Sequence, residues 1–194
     1  MIGDFQTSPK WTHKPVQIDN LTNIQDELKL ALYTIVPAFD SMPPAFTFVW
    51  RKDIEPLVPI YCEFLKSIDL FDKWNYSAFI STNANISFPI HVDSTEWETR
   101  CYGLNIPVLN CEGTYTIFYD AEIKDSLIAD EADPTNSYRI IKENTIPTII
   151  GKLESSQPAW VNISVPHAPF STHSKPRAIF SSRFTPELHE LLYK

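Results

Sequence analysis

Glycine is nearly missing from this chain, with 4 residues in 194 against an average usage of roughly 7%. Its turns must lean on Pro, Asn, Asp and Ser, and Pro is frequent at 16. Cysteine is sparse as well. Cys62, Cys101 and Cys111 make an odd set without a CxxC pair, which argues against a disulfide framework or zinc finger and fits a reducing, cytoplasmic location. Runs of Lys and Arg are absent. The longest basic cluster is a loose one, Lys10, His13 and Lys14, in a chain of net charge −8, so nucleic acid is a disfavoured partner, since a phosphate backbone needs a basic stripe. The acidic balance reads as ordinary solubility. No apolar run reaches the length of a membrane-spanning helix, and residues 1–14 lack the apolar stretch of a signal peptide.

What remains is globular material: 43% hydrophobic, 21% charged and 13% aromatic, enough for one domain spanning 1–194. About 20 residues form an N-terminal arm. Leu21, Ile24, Leu28, Ala31, Leu32 and Ile35 recur at helical spacing, so a helix is expected over 21–35, with Asp19 or Asn20 as N-cap and Pro37 beyond its end. Phe46–Trp50 reads as extended after Pro43-Pro44. A second helix is expected over 55–69 from Leu57, Ile60, Tyr61, Phe64, Leu65 and Ile68, capped by Asp53 and tolerating Pro56 and Pro59 in its first turn.

From residue 74 the pattern changes to short β-prone runs at 76–82, 87–92, 102–109, 114–120, 137–142, 146–150, 159–165 and 177–184. Their spacing fits a sandwich, jelly roll or barrel with the helices on one face. The core is expected over 74–184 and a short terminal helix over 186–193. The acidic stretch 125–133 is the candidate mobile loop.

His91-Val-Asp93 places an imidazole and a carboxylate two residues apart, which on a strand means the same face. Far downstream comes Pro166-His167, in an otherwise neutral run where a metal-bound imidazole is more comfortable than a charged one. Two imidazoles and one carboxylate are the ligand set of the facial triad that holds non-heme Fe(II) with open positions. Ten residues on lies Arg177, on a strand whose one face carries Arg177, Ile179, Ser181 and Arg183 and whose other carries Ala178, Phe180, Ser182 and Phe184. A buried Arg there needs a carboxylate partner, and its planar fork suits a ligand carboxylate. Arg183, roughly 20 Å further along the strand, is not expected to share one small ligand with Arg177; it serves either a substrate or a salt bridge.

His91-Val-Asp93, Pro166-His167 and Arg177 together resemble the Fe(II)- and 2-oxoglutarate-dependent dioxygenases, and 104–119 is similar to a segment of small oxygenase-like proteins, including phage ones. The resemblance implies a double-stranded β-helix (jelly-roll, cupin-like) fold, mainly β with flanking α-helices. It implies Fe(II) held by His91, Asp93 and His167 as catalytic centre, and 2-oxoglutarate as cosubstrate with its C5 carboxylate on Arg177. The implied activity is that of an oxidoreductase that hydroxylates a C–H bond of a peptidyl side chain or small molecule, releasing succinate and CO2. Asp93 sets the chain apart from relatives in which a halide replaces the carboxylate.

Other residues keep two readings each. Asn105 either hydrogen-bonds the cosubstrate or is satisfied by backbone. Tyr115 and Tyr119, sharing a strand face with Ile117, pack in the core or contact 2-oxoglutarate. Trp97, with Glu96 and Glu98, belongs to a substrate lid or a solvated loop. His173 reads as part of a polar turn, and His13 and His189 as peripheral. Two alternatives compete with the oxygenase: a cupin-like metal protein that does not use 2-oxoglutarate, and a non-catalytic jelly-roll module.

Overall fold

The spacing that predicts a helix over 21–35 yields α1 (Leu21–Ile35), which buries Ile24, Leu28, Ala31 and Leu32 along one stripe. The computed structural model describes residues 12–41, 46–83, 88–93, 102–124, 128–129 and 137–184. Asn20 holds the N-cap position of α1 but caps no backbone N–H with its side chain; its Oδ1 accepts from Asn23 Nδ2 at 2.6 Å instead.

The second helix departs from expectation. It is divided into α2 (Arg51–Ile54), a 3-10 turn (Glu55–Leu57) and α3 (Pro59–Ser67). Pro59 has no N–H to continue a helix and disfavours helical geometry at Val58, whose φ and ψ are −133° and 53°. Asp53 therefore lies inside α2 rather than capping. The start of α3 is capped from outside, by Glu27 of α1, whose carboxylate accepts from the backbone N–H of Ile60 at 2.8 Å and of Tyr61 at 2.9 Å.

The strands are β1 (His13–Pro15), β2 (Phe46–Trp50), β3 (Trp74–Thr82), β4 (His91–Asp93), β5 (Tyr102–Leu109), β6 (Thr114–Asp120), β7 (Ile128–Ala129), β8 (Ser137–Ile140), β9 (Thr148–Glu154), β10 (Ala159–Asn162), β11 (His167–Ser171) and β12 (Arg177–Phe184). They form two antiparallel sheets, ordered β1-β10-β5-β12-β3-β2 and β7-β8-β4-β11-β6-β9. The expected sandwich is thus present, with changed boundaries. β1 gives part of the N-terminal arm a place, pairing His13 with Val161. β7 gives the acidic stretch a strand, pairing Ile128 with Tyr138. The terminal helix expected over 186–193, together with Trp97, Glu96, Glu98, Cys101 and His189, lies outside the described residues.

Two apolar clusters hold the layers. The larger joins α1 and α3 to the outer face of the first sheet through Leu28, Leu32, Tyr61, Leu65, Phe79 and Phe180. On that face Tyr61 donates to Ser182 Oγ at 2.7 Å, and Trp74 Nε1 to Ser77 Oγ at 2.9 Å, so these buried polar atoms are paired, whereas Ser81 Oγ on the same face has no hydrogen-bond partner among the described residues. The smaller lies between the sheets and comprises Phe118, Leu153, Ala159, Val161, Ile163 and Val165. β12, with helices on one side and the second sheet on the other, is buried along its whole length. No helix among the described residues is long and apolar enough to cross a membrane.

Candidate metal centre

β4 has only three residues, but they set the site. Alternation turns His91 and Asp93 inward and Val92 outward. β11 begins at His167, which is the Cα partner of His91. Each histidine is fixed by a carbonyl two residues before it. His91 Nδ1 lies 2.8 Å from Pro89 O, and His167 Nδ1 lies 2.9 Å from Val165 O. A carbonyl only accepts, so each Nδ1 carries a proton and each Nε2 is left to face the site. Both Nε2 atoms converge on one oxygen: Asp93 Oδ1 is 3.3 Å from His91 Nε2 and 3.7 Å from His167 Nε2. One ligand atom from each residue lies within 4.8 Å of the others. Metal–ligand bonds of about 2.1 Å at right angles put neighbouring donors about 3 Å apart, so Asp93 Oδ1 needs little adjustment toward either imidazole, whereas the widest separation, within 4.8 Å, must close by up to about 2 Å around a divalent ion.

The electrostatics suit that use. Burial, and then the neighbouring His91, push the His167 pKa down to about 4, leaving it a neutral ligand at any ordinary pH. Burial also opposes a charged His91, but its hydrogen bond and attraction to Asp93 outweigh this and hold its pKa above the usual imidazole value. Burial works against the Asp93 carboxylate, yet the His91 hydrogen bond and the surrounding positive groups keep its pKa well below the carboxylate range. Metal must displace one proton, that of His91. Affinity for Co(II) is therefore expected to fall about tenfold per unit as pH drops below the His91 pKa, following one proton rather than two down to about pH 5. Titrations at pH 8, 7, 6 and 5 check this; a two-proton slope near pH 6 would contradict the neutral His167.

The second oxygen of Asp93 has a partner of its own. Arg183 Nη2 donates to Asp93 Oδ2 at 3.0 Å, so the salt-bridge alternative for Arg183 holds. Oδ1 is left for the histidines. Arg183 Nη1 also donates to Ser181 Oγ, and Ser181 Oγ donates to Asn105 Oδ1 at 2.5 Å. Asn105, expected to meet either cosubstrate or backbone, thus has its carbonyl engaged by a side chain of this relay. Gly103 makes the arrangement possible. It is the Cα partner of Arg183, and a Cβ placed on it would sit 1.7 Å from Arg183 Nη1. Gly103→Ala is expected to evict the guanidinium and weaken metal affinity about 10–100-fold, the range for losing an outer-shell partner. Co(II) titration measures it, and unchanged affinity would refute the role.

Arg177 occupies the other end of the same inward face of β12. It is 1% exposed, and no carboxylate among the described residues lies within ion-pair distance. Nη1 donates to Ser155 Oγ at 3.2 Å, while Nε has no hydrogen-bond partner. Its cross-strand neighbour Thr82 also has a buried, unpartnered Oγ1. Burial lowers the Arg177 pKa, though an arginine stays charged. The inward residues between this end and the triad include Thr116, Ser171 and Ser181, all buried. Hydroxyl groups and an unpaired guanidinium are an expensive interior unless a polar anion completes them.

Some expectations move. Thr114, Thr116 and Phe118 of β6 face inward, so Tyr115 and Tyr119 are on the outer face, away from the triad, and Tyr115 carries Lys152 Nζ at 3.6 Å from its ring centroid. His13 is not peripheral: it stacks on Phe118 at 5.7 Å, and Phe118 lies 6.0 Å from the His167 ring. Only the pairing of the arm with β10 brings it there. His173 is in a polar turn as expected, its Nδ1 accepting from Lys175 N at 3.1 Å.

No family model and no curated protein matches this chain. Solved structures do. The epimerase SnoN, in complex with Fe3+, alpha-ketoglutarate and nogalamycin RO, has a TM-score of 0.52 at 11% identity over 89% of this chain and 77% of its own. The apo form of the non-heme monooxygenase ThoJ gives 0.48 at 11% identity, covering 89% of this chain and 73% of that one. A Bacillus subtilis oxalate decarboxylase variant gives 0.38 at 6% identity, covering 79% and 29%. The chain thus spans less than a third of the oxalate decarboxylase chains that it matches. At these identities the likeness is one of fold: this is a mainly β chain with flanking helices, a double-stranded β-helix of the jelly-roll, cupin-like kind.

Proposed function

We propose that the chain is an Fe(II)- and 2-oxoglutarate-dependent oxygenase that hydroxylates a C–H bond of a peptidyl or small-molecule substrate. One observation carries this reading: a His91, Asp93, His167 donor set with both Nε2 atoms turned to one carboxylate oxygen shares an interior with a buried guanidinium that has no carboxylate partner among the described residues. In this reading the triad holds iron on one side and leaves the remaining positions open. Arg177, with Ser155 and Thr82 beside it, holds the far carboxylate of the 2-oxo acid. Bound there, iron and 2-oxoglutarate supply the oxidising chemistry, with O2 consumed, succinate and CO2 released and a C–H bond hydroxylated. Arg183 keeps Asp93 a single-oxygen ligand by holding its other oxygen.

The test is anaerobic loading with Fe(II), then titration with 2-oxoglutarate, following the weak visible charge-transfer band of the chelate. A saturable band in the wild type, lost in His167→Ala, supports the proposal. Iron uptake without the band redirects it to a cupin-like metal protein that uses no 2-oxoglutarate. Absence of iron uptake leaves a non-catalytic jelly-roll module.

A further inference from the structure

The inner face of the first sheet does not end at Arg183. Cross-strand partners share a face, and Arg183 is paired with Tyr76 on β3, which is in turn paired with Trp50 on β2. The row Arg183, Tyr76, Trp50 therefore runs from the Asp93 carboxylate outward to the edge of the sheet. Two strand spacings of about 4.8 Å put Trp50 roughly 10 Å from the strand that holds Arg183. Burial changes steeply along it, from 5% exposure at Arg183 to 51% at Trp50. The opposite, helix-side face of β2 is closed by Val49, which belongs to the larger apolar core.

The outer end of this row is a shelf of three rings. Phe48 lies 4.7 Å from both Trp50 and Tyr76 between centroids, and Trp50 lies 6.3 Å from Tyr76. The neighbouring inner-face pairs are Phe48 with Ala78 and Phe46 with Ile80. Among the described residues the shelf thus has no charged side chain, and its polar group is the Tyr76 hydroxyl. Across the site, Tyr138 of β8 is paired with Asp93 and meets the His91 ring at 5.7 Å.

We infer that this shelf is a substrate subsite for a flat, uncharged, conjugated ring that stacks on Trp50, with the reacting carbon carried inward toward the triad. The inference rests on the proposed metal centre. The composition of the shelf selects the occupant. A saccharide that stacks on an indole also needs polar side chains to hold its hydroxyls, and the inner face of β2 and β3 offers only Tyr76 at the shelf, its other polar residue, Thr82, lying at the far end beside Arg177. A cation would want a carboxylate beside the rings, and among the described residues the carboxylate on this row, Asp93, is already held by Arg183. An uncharged ring gains both burial of the exposed indole and offset stacking.

The test uses the full chain loaded with Mn(II), with naphthalene-2-methanol as planar probe and decahydronaphthalene-2-methanol as its saturated counterpart. Mn(II) uptake is measured first, by titration before any probe is added. Binding is then read from proton relaxation of the probe, which Mn(II) accelerates only at short range. The expected result is relaxation of the naphthalene protons, weakened about tenfold in affinity by Trp50→Ala and less than about threefold by Trp50→Phe, with the saturated alcohol binding about tenfold more weakly. Because Trp50 is exposed, both variants should remain folded. Equal binding of the two alcohols, or binding indifferent to Trp50→Ala, would overturn the subsite and leave the metal centre standing. Trp50-dependent binding without enhanced relaxation would place the shelf apart from the centre and overturn it as a substrate subsite. Failure to take up Mn(II), seen in the first titration, would overturn both.

Discussion

Asp93→Ala is expected to lose tight metal binding and about 3 kcal/mol of stability together, and the double variant Asp93→Ala/Arg183→Met to regain the stability but not the metal. Removing one partner of a buried ion pair costs about 3–5 kcal/mol, mostly because the other charge is left without compensation. Arg183 is that other charge: its side chain is 5% exposed, against 28% for Asp93. Water can reach the Asp93 side of the pair, which places the loss at the lower end. Methionine fills much of the arginine's volume without a charge, so the double variant removes the stranded guanidinium. The metal does not return, because one of three ligands is gone, and the affinity loss should exceed the 10–100-fold typical of outer-shell changes. His167→Ala separates the two effects from the other side. It removes a neutral imidazole, so metal binding falls while no charge is orphaned. Urea unfolding of the metal-free proteins with Co(II) titration of each decides the matter. An Asp93→Ala protein as stable as wild type would show that Arg183 does not depend on Asp93, and undiminished Co(II) affinity would remove Asp93 from the site.

Two of the candidate ligands and the arginine face were legible in the sequence because they obey a local rule. His91 and Asp93 share a face by the two-residue period of a strand, and Arg177, Ile179, Ser181 and Arg183 do so by the same period. What joins those faces is non-local. The partnership of Arg183 with Asp93 crosses from one sheet to the other, and counting residues along β12 gives the distance from Arg177 but not the nearness to β4. Gly103 looked like one more glycine until the pairing of β5 with β12 set it beneath a guanidinium. β11 gave no strand signal because Pro169 interrupts it. Its only β4 partner is at His167, so at Pro169 the missing N–H faces no β4 neighbour among the described residues and costs little there. The undivided second helix failed for the converse reason: hydrophobic spacing continues smoothly through Pro59, whereas backbone geometry does not.

Arg177→Met is expected to abolish saturable 2-oxoglutarate binding while leaving metal affinity unchanged and the metal-free protein as stable as wild type, or more so. In general a buried guanidinium is retained because it is paired; here, among the described residues, its compensation is one hydrogen bond to Ser155, and Nε has none. A desolvated charge without a counter-charge works against folding, so a methionine of similar length should relieve that cost and add apolar contact. The same vacancy is what a ligand carboxylate would use. Two charge-assisted hydrogen bonds to a planar fork, each worth about 1.5–3 kcal/mol, correspond to at least about a hundredfold in affinity. Lysine would keep the charge but not the fork, so Arg177→Lys should fall between the two. Thermal unfolding of the metal-free variants, Co(II) titration, and 2-oxoglutarate titration of the Fe(II)-loaded protein read the three quantities separately. A destabilised Arg177→Met variant with normal 2-oxoglutarate affinity would make Arg177 a structural residue. The combination of gained stability and lost cosubstrate is the signature of a charge kept for a ligand, because an arginine that served only the fold would be missed by the fold first.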